Sequence, residues 1–272
     1  MSEHRLRKPK GFSLLVFALV CAWLGILLVI PLGSLVYTVV ESRHEVVEVL
    51  IGAEARRALV LSALVAVACI LCNGAFGIAG ALVLVRQRFW LRRLLDALID
   101  MPLALSPVMT GLAFLLVFGR SGVLRPALEG LGLDVAFAWP SVFIATLFVT
   151  LPFTLREVAL VLEEIGDGEE QAAATLGASP WQTFWRVTLP NIQGGLIVGT
   201  TLTAARALGE FGAVLVVGGS IANRTQTATT FIHAAIEERQ EPAAFGMALI
   251  LAAAAVLLLL AMQMANPKGK RR

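Results

Sequence analysis

The residues able to do chemistry are few in this 272-residue chain, and their spacing argues against most of it. Cys69 and Cys72 stand C-x-x-C, the spacing of a redox or metal pair. No second Cys or His cluster accompanies them, and Cys21 lies far off in another apolar run. All three read as small apolar side chains. His4, His44 and His233 are too scattered to suggest a ligand set. Ser179, in Gly-Ala-Ser-Pro at 177–180, superficially resembles a nucleophile, but no His lies within sequence reach and no G-x-S-x-G elbow surrounds it. The G-x-x-x-x-G-K-[ST] phosphate loop is absent, so no nucleotide is bound by that route. The expectation is a chain with no catalytic residue, no metal and no cofactor of its own.

Two residues carry charge where charge is expensive. Arg206 and Glu210 interrupt an otherwise uncharged interior at 187–223. An ionisable group inside a span costs about 2.5–3.5 kcal/mol on insertion scales, so it should face protein or a water cavity. Four residues apart on a helix, they share a face. Counted from Pro190, Arg206 lies roughly 24 Å up that helix, toward its far mouth. Two readings stay open: an internal pair that locks helices together, or the border of an anion pathway. Gly209 and Gly212 beside them allow a close neighbour.

The elements that must position these residues are membrane spans. The chain is 58% hydrophobic and 15% charged, with a mean hydropathy of +0.82. Soluble domains sit near 45–50% apolar and about 25% charged. Runs long enough to cross a hydrocarbon layer occur at 11–40, 58–85, 101–119, 135–155, 187–223 and 242–267. Nothing alternates like a barrel strand, so about six transmembrane helices are expected in an all-α polytopic protein. Residues 1–50 form an N-terminal segment and first helix, 51–265 the core, and 266–272 a basic tail. The apolar run at 11–40 is too long for a cleaved signal and reads as a retained span.

Lys and Arg set the expected orientation. Arg5, Arg7, Lys8 and Lys10, then Arg86, Arg88, Arg92 and Arg93, then Lys268, Lys270, Arg271 and Arg272 fall on one side of a six-span chain. Both termini should therefore be cytoplasmic, along with the loop at 163–190. In the third span, Pro102 and Pro107, with Ser106 and Thr110, interrupt the start, as happens where a helix lines a cavity or is simply kinked. Asp96 and Asp100 are assigned to nearby Arg92 and Arg93, or to solvent. Residues 220–242 hold enough helix formers for a short interfacial helix.

The 163–190 loop carries its own helix signals. EEQAAATL at 169–176 favours helix, with acids at its N-terminal end. Gly177 is a stop, Ser179 an N-cap and Pro180 the first position of a second short helix. Trp181, Phe184 and Trp185 share one face of it. Leu189-Pro190 is expected to end that helix and start the fifth span. The result is a helix–turn–helix bracket, with small Ala172, Ala173 and Ala174 permitting close approach by another surface.

QAAATLGASPWQTFWRVTLPNI at 171–192 resembles the signature of ABC importer permeases, with Gly177, Val187, Leu189 and Pro190 in register. The glutamate usual in that signature falls on Gln171, with Glu170 one residue earlier. DMPLALSPVMTGLAFLLVFG (100–119), FAWP (137–140), TLPFTLRE (150–157) and ARALGEFGAVLVVGGSI (205–221) resemble the sulfate/thiosulfate permeases, W-type subunit, over roughly residues 55–260. That resemblance implies a type I ABC importer permease (MetI-like) fold in a bacterial cytoplasmic membrane. It implies a separate ABC ATPase dimer carrying ATP and Mg, a second T-type permease, an extracytoplasmic sulfate-binding protein and the lipid bilayer as partners, and no nucleic acid. The expected coupling loop comprises Glu170, Gln171, Ala172, Ala173, Gly177, Ala178, Ser179, Trp181, Phe184, Leu189 and Pro190. The expected pathway or gate comprises Ser106, Pro107, Thr110, Arg206, Gly209, Glu210 and Phe211. A molybdate/tungstate permease acting as a homodimer is the alternative, because such permeases share the GEFGA stretch. A membrane-embedded enzyme is the reading from a different class.

Overall fold

The computed structural model describes residues 10–130 and 135–265, so Arg5, Arg7, Lys8, His4 and the basic tail at 266–272 lie outside the described residues. Every element described is helical. The chain opens with α1 (Lys10–Leu24) and α2 (Ile30–Glu41), joined without a break through a π segment at Gly25–Val29. Then come α3 (Arg43–Ile51), α4 (Ala53–Arg86), α5 (Arg92–Ala104), α6 (Pro107–Phe118) and α7 (Arg125–Gly130). The second half runs α8 (Trp139–Ile165), α9 (Gly168–Thr175), α10 (Pro180–Thr183), a π segment at Phe184–Thr188, and α11 (Leu189–Leu208). It finishes with α12 (Gly212–Gly218), α13 (Ala228–Glu237) and α14 (Glu241–Ala265).

Among the described residues, four helices are long and apolar enough to cross a membrane: Leu14–Glu41, Ala53–Arg86, Trp139–Ile165 and Glu241–Ala265. The other two expected spans are bent pairs. α5 meets α6 at 112°, and the helix Pro180–Leu208 meets α12 at 54°. The runs at 101–119 and 187–223 are therefore each divided, the first at the interruption its prolines announce and the second where one helix carrying both Arg206 and Glu210 was expected. Composition did not reveal the second break, because that run stays largely apolar through it. At the first, Leu105 and Ser106 are extended, as a residue before Pro107 tends to be. At the second, Gly209 closes α11 and Phe211 opens α12 with non-helical backbone.

α4, α8 and α11 form the centre. Ala81, Leu84, Leu155, Val158, Leu162 and Ile192 bury one another there, and Ile99 of α5 joins them. Gly195 and Gly199, one turn apart, let α11 lie on the backbone of α8. A Cβ at Gly199 would come within 2.7 Å of Thr154 Cα, and one at Gly195 within 2.6 Å of the Glu157 carbonyl. This is the small-residue contact that helices use in lipid, where apolar burial gives no drive between them. Hydrogen bonds add to it: Asn73 Nδ2 donates to Thr150 Oγ1 at 2.8 Å, and the Thr154 and Thr203 hydroxyls meet at 2.9 Å. By contrast, no residue of α1 or α2 among those described is buried.

The two π segments share one cause. Each is followed, one residue on, by a proline: Pro31 in α2 and Pro190 in α11. A proline ring clashes with the carbonyl four residues back, here Leu27 and Arg186, and it donates no N–H. Widening that turn relieves both problems. The Ile30 and Leu189 amides reach back five residues, to Gly25 and Phe184. Leu189-Pro190 therefore does not end the second helix of the loop, as expected from the sequence. Helix runs from Pro180 to Leu208.

Candidate functional site

The loop at 163–190 folds as a projecting arm with one free helix and one that continues into a span. α8 ends at Gly166, whose φ of +65° requires glycine. Gly168–Thr175 then form α9, with Glu169 and Glu170 in the first turn, where a helix dipole favours acids. Leu176 ends α9, and Gly177, at φ +83°, turns the chain. Ser179 caps the second arm: its hydroxyl accepts from the Gln182 amide, and the Gln182 side chain accepts from the Ser179 amide. The residue types at 177, 179 and 180 announce this turn; Gln182 completes the box and was not singled out from the sequence.

The surface of the arm is open. Gln171, Ala172, Ala174, Thr175, Leu176 and Gly177 are exposed, Leu176 at 88%. Trp181, Phe184 and Trp185 pack on each other, with ring centroids 5.5–6.2 Å apart, while both tryptophans keep an exposed face. A crevice of about 470 Å³ lies between the two limbs, lined by Glu170, Ala174, Ala178, Pro180, Phe184 and Thr188 among others.

One arginine ties the arm to the bundle. Arg86, the last residue of α4, donates from Nε to Glu170 Oε2 at 2.9 Å, from Nη1 to the Leu162 carbonyl at 3.1 Å and from Nη2 to the Gly166 carbonyl at 2.7 Å. It thus joins α4, the end of α8 and the start of α9. Glu170 also accepts from Thr188 Oγ1 at 2.8 Å, and Glu169 accepts from Asn191 Nδ2, which adds α11. The charge of Glu170 is therefore satisfied inside the chain, while Gln171 one residue on stays at the surface. Arg86 was read from the sequence only as an orienting charge. Nothing in local spacing links it to Glu170, 84 residues away.

A second cluster corrects an expectation. Asp96 and Asp100 of α5 do not pair with Arg92 and Arg93; both bind Arg156 of α8, at 2.7 Å from Asp96 Oδ1 and 2.7 Å from Asp100 Oδ2. α8 presents Arg156 across to α5, whereas Arg92 and Arg93, in α5's own first turn, point elsewhere. Local neighbours in sequence lost to a partner on a packed helix.

The residues proposed for a pathway meet at the two breaks. α6 and α12 start side by side: a Cβ at Gly212 would lie 3.1 Å from Pro107 Cβ. Thr110 is buried and donates to the Ser106 carbonyl at 3.3 Å. Arg206 and Glu210 do not sit on one helix as expected, because α11 ends between them at Leu208. They still pair, Arg206 Nη1 lying 2.7 Å from Glu210 Oε2. Glu210 is almost fully buried and does more than pair. Its Oε1 accepts from the Ala213 amide at 3.1 Å, holding the start of α12, and its carbonyl accepts from Thr229 Oγ1 at 2.6 Å. The Phe211 ring meets His233 edge-on at 5.3 Å. Glu210 thus fastens α12 and α13 to α11, and Arg206 keeps part of its guanidinium in the open.

Residues 73–270 match the family described as "Binding-protein-dependent transport system inner membrane component". The sulfate transport system permease protein CysW of Synechocystis is 43% identical over 257 residues, covering 92% of each chain. CysT of Escherichia coli K12, also a sulfate transport system permease protein, is 36% identical over 91% of this chain and 90% of its own. Among solved structures, a chain of a bacterial alginate ABC transporter bound to its periplasmic protein superposes with a TM-score of 0.78 at 18% identity, over 98% of this chain and 99% of that one. That likeness is one of fold, and it matches the sequence-based expectation of an all-helical importer permease. The chain is therefore a multi-pass membrane protein that belongs to the inner-membrane components of binding-protein-dependent transport systems, within the branch of sulfate permeases that holds CysW and CysT.

Proposed function

We propose that this chain is one of two membrane subunits of an ATP-driven importer that carries sulfate, or thiosulfate, across the cytoplasmic membrane. The observation that carries the reading is the pairing of 43% identity to a sulfate permease over 92% of the chain with an exposed arm tied to three spans. In this reading the arm from Glu169 to Pro190 seats in a groove of a separate ATPase. Gln171, Ala172, Gly177 and Leu176 meet the groove, Ala173, Ala178 and Ser179 shape the turn, and Trp181, Phe184, Leu189 and Pro190 stiffen the limb behind. Nucleotide and Mg stay on that partner, and this chain supplies no catalytic group.

Force then has a route. A push on α9 reaches α4 and α8 through Arg86 and reaches α11 through Thr188 and Asn191. At the other end of α11 stand the Arg206–Glu210 pair and the junction of α6 with α12, where Ser106, Pro107, Thr110, Gly209 and Phe211 would border the path. Beyond the junction, past the far ends of α6 and α12, a cavity of about 350 Å³ is lined by Arg120, Arg125 and Arg224, the sign of charge an anion requires. An extracytoplasmic binding protein would deliver the anion there, and a CysT-like second permease would complete the path. The Lys and Arg distribution supports a cytoplasmic position for both termini. The relatives compared are sulfate permeases, which does not favour a molybdate homodimer.

The test is sulfate uptake by the complete importer in proteoliposomes, with ATP inside and binding protein outside. Gly177→Asp should keep ATP hydrolysis and lose uptake, because φ +83° strains any other residue and the turn would carry a new charge. Normal uptake by that variant would sink the arm's role. Molybdate outcompeting sulfate would replace the cargo, and turnover by the purified chain alone would remove the permease reading altogether.

A further inference from the structure

We propose that the segment from Arg88 to Met101 holds the headgroup of an acidic phospholipid, recognised through its phosphodiester. Arg88, Arg92 and Arg93 line an open cavity of about 490 Å³ together with Phe89 and Trp90, and no carboxylate among the described residues lines it. The acids nearest in sequence, Asp96 and Asp100, are occupied by Arg156. Among the described residues none of the three guanidinium groups has a hydrogen bond or an ion-pair partner. Three unpaired cations around one cavity are a site for an anion, and arginine suits phosphate because its planar fork matches two oxygens at once.

The surroundings say which anion. Trp90 is 90% exposed, and Leu94, Leu98 and Met101 form an exposed apolar stripe along α5, spaced at four and three residues. The other face of α5 packs inward through Leu95, Ile99 and Pro102. α5 is also turned 112° away from α6. An amphipathic helix with arginines at its start, a tryptophan beside them and an exposed apolar stripe is built for the headgroup layer of a bilayer. An acidic loop of a soluble partner would satisfy the arginines but would leave Trp90 and the stripe in water. A lipid covers both, with phosphate on the arginines and acyl chains against the leucines. This rests on the membrane reading of the fold but not on the cargo.

The experiment uses the full chain in nanodiscs containing equal phosphatidylglycerol and phosphatidylcholine, followed by native mass spectrometry of the lipids it retains. Each arginine near an anionic surface contributes about fivefold. The chain should therefore retain phosphatidylglycerol over phosphatidylcholine by at least about tenfold. Arg88→Gln, Arg92→Gln and Arg93→Gln combined should bring that ratio to parity. The same charge removed elsewhere, by Arg43→Gln, Arg56→Gln and Arg57→Gln, should leave it unchanged. Melting temperatures of both triple variants equal to that of the unsubstituted chain would show that neither is misfolded. The proposal fails if the unsubstituted chain shows no preference, if the first triple variant keeps it, or if the second loses it equally. It also fails if the first triple variant loses ATPase coupling in the assembled importer with its lipid retention intact, since that would place a protein partner on this surface.

Discussion

Two arginine–glutamate pairs hold this chain, one at each end of the bundle, and they are built for different duties. Arg86 and Glu170 are about one-fifth exposed, and each has further partners: two carbonyls for the arginine, a threonine hydroxyl for the acid. Water can take the place of any one of these bonds. Glu210, in contrast, is 1% exposed in its side chain and depends on Arg206 to balance its charge. Burial decides the outcome. An ion pair that water can enter contributes little to stability and can change length as the parts move. A pair with a sealed acid cannot lose its partner without leaving a bare charge inside. The first suits a joint and the second a fixed point.

The comparison breaks most sharply at Arg206. Arg206→Leu should lower the chain's stability by about 3 kcal/mol, because Glu210 is left buried without its counter-charge. Thermal unfolding of the solubilised chain measures this, and adding Glu210→Gln should restore most of the loss. Arg86→Ala should behave oppositely. Its stability cost should stay near 1 kcal/mol, while sulfate uptake by the assembled importer falls about tenfold with ATP hydrolysis retained. A stability loss at Arg86 as large as that at Arg206 would erase the distinction between joint and fixed point. The smallest effect is expected at Ser179. Ser179→Ala removes one half of the capping box and should cost about 1 kcal/mol, confined to the arm. Hydrogen exchange should quicken at the amides of 181–183, with those of α8 unaffected.

What could be read from the residues alone follows the range of the interactions. The turn at 177–180 is written in adjacent residues: a glycine for the left-handed conformation, a serine to cap, a proline to start a helix. The spans are equally local, since twenty apolar residues need no partner to identify them. Arg156 is the opposite case. Its partners lie 56 and 60 residues away, and Asp96 and Asp100 had cationic neighbours close at hand in Arg92 and Arg93. Only the packing of α5 on α8 selects between them. The break at 209–211 was hidden because the glycines there served equally well as contact points for a neighbouring helix. Pro190 misled for a chemical reason. Proline ordinarily ends a helix, but one widened turn accommodates it and lets the arm run on into α11.

The uncovered first helix has a consequence of its own. Leu14–Glu41 has 28 residues, about 42 Å at 1.5 Å each, against a hydrocarbon layer of about 30 Å. It must therefore lean or protrude. α4, with 34 residues, faces the same mismatch, but its lean is fixed by α8 and α11 pressing on it. Among the described residues no side chain of α1 or α2 is buried, although α2 does touch α14. Bilayer thickness therefore bears on the lean of the first helix more than on that of the packed helices. A thicker membrane would stand that helix upright and leave the central three undisturbed, so the chain carries a thickness-responsive element alongside a core that keeps its geometry.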